Sequence, residues 1–110
     1  MSLPPHVHAA LLDFKAAVVE SFGTRLRGVV LFGSYARGLV HEDSDVDVLV
    51  LVWPREPGDG HRAADAAVAV MLRRPEVVLG PLVMTPDELD ALRARERRLA
   101  ADIDREGVAL

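Results

Sequence analysis

At 110 residues, half of them hydrophobic, the chain is long enough for one domain with its own core. It contains no cysteine, which excludes disulfide staples, thiolate metal sites and a cysteine nucleophile. Its net charge of -4, with 17 acidic against 13 basic residues, is the wrong sign for a surface that grips long nucleic acid through its phosphates. The opening "MSLPPHVHAALLDF" lacks the basic and apolar regions of a secretory signal, and no apolar run approaches the ~20 residues needed to span a bilayer. A single cytoplasmic domain covering residues 1–110, with no membrane association, is expected.

The elements follow in chain order. Val7, Leu11, Phe14, Val18 and Phe22 recur at steps of four and three, which predicts an amphipathic helix from Pro4 or Pro5 to Gly23. "LRGVVLFG" is a β-branched strand that stops at Gly33, and "SYARGLVHED" reads as a turn and short helix. "SDVDVLVLVW" is a second strand, apolar on both faces in its later half, and "PREPGDG" is a loop. An alanine-rich helix over 61–73 is expected to bury Ala64, Val68, Met71 and Leu72. "EVVLGPLVM" is a third strand, which Pro81 confines to an edge or a bulge. "TPDEL" opens a last helix, with Thr85 as N-cap, Pro86 at the first helical position and Glu88 closing a capping box. Its apolar positions are Leu89, Leu92, Leu99 and Ile103. Trp53 and Met84, at strand ends, are expected in the core. The order implies an α/β domain with helices packed on a small sheet.

The second strand poses a problem. Side chains alternate across a strand, so Asp45 and Asp47 share one face while Val46 and Val48 point into the core. Two carboxylates about 7 Å apart repel one another unless a cation lies between them, and carboxylates completed by water and phosphate oxygens are what Mg²⁺ prefers. The pair is read as a divalent-metal site. Gly33, ending the first strand, lets a ligand approach the backbone, and Ser34 offers a hydroxyl and nearby amides to an anion. Only ten residues separate Ser34 from Asp45, so the two strands should run antiparallel, with phosphate seat and metal site at one edge. Metal beside phosphate points to phosphoryl or nucleotidyl transfer.

"GSYARG" followed by "SDVDVLV" resembles the signature of the DNA polymerase β-like nucleotidyltransferase superfamily, over roughly residues 5 to 85. Within it the chain is most similar to the minimal nucleotidyltransferases, the group that includes the MntA antitoxins. The resemblance implies a nucleotidyltransferase fold with a small mixed β-sheet. It also implies that Gly33 and Ser34 hold the triphosphate, that Asp45 and Asp47 bind Mg²⁺ (or Mn²⁺), and that Arg37 supports the nucleotide phosphates or the short helix. The implied reaction moves a nucleoside monophosphate, AMP from ATP, to a hydroxyl. The implied acceptor is a tyrosine of a HEPN-type partner protein in a toxin–antitoxin pair.

The chain departs from the family at one point. Relatives use a third carboxylate on a later strand, and here the stretch "VVLGPLVM" has none; only Glu76 stands near its start. Either Glu76 substitutes, or substrate does, or the domain is a catalytically weak or inactive nucleotide-binding module. The competing reading of Asp45 and Asp47 as turn caps fits poorly with Asp47, which has valine on both sides. For Arg37 a surface salt bridge is as good a reading as a nucleotide contact. Arg93, Arg95, Arg97 and Arg98 share the last helix with Asp90, Glu96 and Asp102 and read as a solvated face, with a partner surface as the second reading. Homo-oligomerisation stays open.

Overall fold

The computed structural model describes residues 4–32, 45–95 and 108–109. Helix α1 spans Pro5–Phe22 and ends at Gly23, whose φ of 57° is a backbone state that glycine adopts without penalty. A 3₁₀ turn, Gly23–Arg25, leads into β1 (Leu26–Phe32). Strand β2 is Val46–Val52, helix α2 Asp59–Arg73, strand β3 Leu79–Met84 and helix α3 Pro86–Arg95. A two-residue strand, β4 (Val108–Ala109), was not foreseen. The expected short helix after β1, and Leu99 and Ile103 of the last helix, lie outside the described residues. Among the described residues no helix is long and apolar enough to cross a membrane.

The sheet has the order β3-β2-β1-β4. It is mixed: β1 pairs antiparallel with β2 and β4, and β2 pairs parallel with β3. The expected antiparallel pair is therefore present, with Phe32 opposite Asp47. Strand β3 takes the edge position that Pro81 demands, and its register with β2 is continuous from Val46↔Leu79 to Leu51↔Met84, without a bulge.

Alternation divides the sheet into two faces. Val46, Val48, Val50 and Val52 of β2, with Val29 and Leu31 of β1, are buried in one core with Val7, Ala10, Leu11, Phe14, Val18 and Phe22 of α1. The opposite face carries a smaller cluster, where Leu49 meets Leu89 of α3, flanked by Val30, Leu51, Met84 and Leu92. Helix α3 starts as its sequence says: the Glu88 backbone N–H donates to Thr85 Oγ1 at 3.0 Å. The other half of the capping box is absent, because the Glu88 carboxylate accepts two hydrogen bonds from Arg55 instead, at 2.8 and 2.9 Å.

Helix α2 has the expected period and a different phase. Its buried residues are Asp59, Ala63, Ala66, Ala67 and Val70; Met71 is half-buried, Ala64 and Val68 are exposed, and Leu72 is 78% exposed. Alanines surround this helix, so hydrophobicity alone does not choose its rotation. Asp59 does. Its side chain is fully buried and accepts a bidentate pair of hydrogen bonds from Arg25, 2.9 Å each, and a third from the Glu56 N–H at 2.9 Å. Arg25 also donates to the Pro54 carbonyl at 2.9 Å and lies 5.4 Å from the centre of the Phe22 ring. Starting from that anchor, positions 63, 66, 67 and 70 fall on the stripe that meets α1 and β3. A second ion pair, Arg74 Nε to Asp13 at 2.8 Å, ties the end of α2 to α1. Trp53 departs from expectation as well: it is exposed and lines a shallow cavity of about 350 Å³ with Arg27, Pro86 and Asp87.

Candidate active site

Asp47 stands one residue inside β2, and Asp45 immediately precedes that strand. Val46 and Val48, the intervening residues, are completely buried, which fixes the carboxylates on the opposite face. Register places three residues side by side across the sheet: Phe32 on β1, Asp47 on β2 and Gly80 on β3. Asp45 is exposed, whereas Asp47 is half-buried. Burial, and next the charge of Asp45, push the Asp47 carboxyl above its ordinary pKa. Among the described residues, no arginine or lysine forms an ion pair with either carboxylate. Repulsion within the pair is thus uncompensated by these residues.

That arrangement fits a divalent cation. Two carboxylates on one face, one of them held partly out of water against its preference, are hard oxygen donors whose mutual repulsion a metal would reverse. No group of three His, Cys, Asp or Glu gathers among the described residues. Glu76 therefore does not join Asp45 and Asp47. It is exposed, in the turn ahead of β3, four residues before the position that faces Asp47. That facing position is Gly80, where an added Cβ would lie 3.6 Å from Asp47 Oδ1. The sequence places Gly80 within this strand and does not by itself link it to Asp47. The signal that could have found it is parity: in a parallel ladder it shares the face of Asp47. Gly33, Ser34 and Arg37 lie outside the described residues.

Comparison with known proteins bears on this constellation. The model of the nucleotidyltransferase domain family matches residues 13–103. The chain belongs to that family. It is 34% identical over 79 residues to a Methanocaldococcus jannaschii protein to which a protein adenylyltransferase role is ascribed, covering 70% of this chain and 54% of that one. It is 50% identical over 44 residues to the protein adenylyltransferase MntA of Thermococcus cleftensis, covering 40% of this chain and 42% of that one. These matches thus span about half of each relative's length. Among solved structures, a toxin–antitoxin crystallised with AMP-PNP superposes with a TM-score of 0.59 at 19% identity, over 92% of this chain and 69% of that one. At that identity the likeness establishes the shared nucleotidyltransferase fold.

Proposed function

We propose that this domain is a divalent-metal-dependent nucleotidyltransferase that moves AMP from ATP to a hydroxyl acceptor. The observation that carries the reading is the Asp45 and Asp47 pair, on one face at the start of β2, with Asp47 half-buried and no cation meeting it among the described residues. The adenylyltransferase names of its relatives support AMP as the group transferred. Asp45 and Asp47 would hold Mg²⁺ or Mn²⁺, which when bound neutralises charge on the nucleotide phosphates. Gly33 and Ser34 would seat the triphosphate, and Arg37 would support it. In the transfer, the acceptor oxygen bonds to the α-phosphorus and gives up its proton to water, the bond from that phosphorus to the bridging oxygen breaks, and pyrophosphate leaves with the electron pair.

The partner reading follows from the same family. We assign as acceptor a tyrosine of a HEPN-type toxin, for which this chain would be the antitoxin; the similarity to a toxin–antitoxin structure supports it. Incubation with α-labelled ATP and Mg²⁺, with and without such a partner, tests both steps. Label on the partner and free pyrophosphate are expected, and both should vanish in a combined Asp45→Asn and Asp47→Asn variant. A second reading, a nucleotide-binding module without turnover, is favoured by one observation: glycine, not a carboxylate, faces Asp47 on β3. Under that reading nucleotide binds and no label moves.

A further inference from the structure

Strand β1 carries a bulge at its start. Leu26 stands opposite Val52 and Gly28 opposite Leu51, so Arg27 is an extra residue with no counterpart on β2. Val29 and Leu31 are buried in the core with α1, and unbroken alternation would send Arg27 the same way. The bulge re-aims it. Arg27 comes out on the face of Leu51 and α3, where it is exposed and lines the shallow cavity of about 350 Å³ with Trp53, Pro86 and Asp87.

This cavity lies far from the aspartate pair. Trp53 follows Asp47 by six residues, at the far end of β2, which is about 20 Å at the rise of a strand. Leu49 and Leu51 fill the face between them, packed with α3. The Trp53 N–H donates to the Arg25 carbonyl at 2.8 Å, so its backbone is held against β1, yet the residue remains 49% exposed. Beside it Arg27 supplies a cation and Asp87 a carboxylate, and among the described residues neither enters an ion pair. A wet indole, a cation and an anion thus share one cavity without satisfying one another.

We propose that this cavity is a binding site, separate from Asp45 and Asp47, for a purine nucleoside monophosphate whose base bears an amine. The three groups select that chemistry together. A planar base stacks on the Trp53 ring, its amine donates to the Asp87 carboxylate, and its phosphate accepts the paired N–H groups of Arg27. An aromatic acid would leave Asp87 without a donor, and an aromatic cation would meet Arg27 as a like charge. The volume agrees, standing at the small end of the roughly 300–1,000 Å³ usual for small-molecule sites.

Trp53 is the only tryptophan in the chain, so its emission reports on this cavity alone. The test titrates AMP into the full chain in EDTA, with excitation at the red edge of indole absorption, where adenine does not absorb. Saturable quenching is expected, and it should persist in the combined Asp45→Asn and Asp47→Asn variant. Adenosine, which lacks the phosphate, and purine riboside monophosphate, which lacks the amine, should each bind about tenfold more weakly. Arg27→Gln should reduce AMP binding to the level of adenosine, and Asp87→Ala should erase the preference for AMP over purine riboside monophosphate. The inference is overturned if AMP causes no saturable quenching, if quenching is lost in the Asp45 and Asp47 variant, if adenosine or purine riboside monophosphate matches AMP, or if either cavity variant behaves as the parent.

Discussion

Two aspartates of this domain sit in opposite electrostatic circumstances. Asp59 is 1% exposed, yet its carboxyl is held below the ordinary value, chiefly by the hydrogen bonds from Arg25. Asp47 is less buried, yet its carboxyl is pushed above that value, first by burial and then by Asp45. Burial itself raises both; the difference lies in what the fold supplies in return. Around Asp59 it supplies a guanidinium and a backbone N–H, so the site is complete and structural. Around Asp47 the described residues supply another carboxylate and no ion-pair partner.

The largest expected effect breaks the complete site. Asp59→Ala leaves Arg25 and the Glu56 N–H without their acceptor, and loss of one member of a buried pair costs about 3 kcal/mol, the lower end of the usual range because Arg25 reaches water. Thermal melting should fall by on the order of 10 °C, and a variant melting with the parent would remove Asp59 as an anchor. Asp47→Asn should do the reverse. The metal-free variant should melt at or above the parent, but should lose the stabilisation by Mg²⁺ and ATP, which for the parent reaches about 2.7 kcal/mol at a hundredfold excess over Kd. An undiminished shift would place the metal elsewhere.

Acid separates the two aspartates by sign. The folded pKa of Asp59 is lowered, so its stabilisation is complete above the ordinary carboxylate value of 3.8 and is lost as pH falls through the folded value. The folded pKa of Asp47 is raised, so its penalty is absent below 3.8 and grows as pH rises through the folded value. Asp45→Asn sharpens the contrast. Carboxyl NMR titration of the metal-free protein should show Asp47 moving down, yet remaining above its ordinary value, because burial is the larger cause. A return to the ordinary value would reverse that order. The smallest effect is expected from Glu76→Gln, exposed and apart from the pair: melting, Mg²⁺ binding and transfer should match the parent. Loss of transfer in this variant would make Glu76 the third carboxylate.

What the sequence made legible follows from which interactions are local. The α1 stripe, the antiparallel β1 and β2 pair, and the Thr85 cap depend on residues near one another in the chain, and each is found. The Asp45 and Asp47 pair was visible for the same reason, two residues in one period of a strand. The rotation of α2 was not, because it depends on Arg25, 34 residues before Asp59. Gly80 was missed as a neighbour of Asp47 because a parallel ladder sets its register through an intervening helix, and no nearby residue announces it. Trp53 went to the surface because its strand ends where the hydrophobic face does.

The placement of Asp47 inside a ladder, with Asp45 just outside it, has a dynamic consequence. Strand β2 is hydrogen-bonded on both flanks, by β1 and by β3, so its amides should exchange with solvent among the slowest in the domain. The Asp45 amide precedes that zone and should exchange faster than those within it. One ligand of the proposed cation is then carried within the ladder and the other just outside it, so that Asp47 would set the reference to which Asp45 comes when Mg²⁺ binds. Deuterium uptake would show this as new protection confined to the Asp45 side of β2.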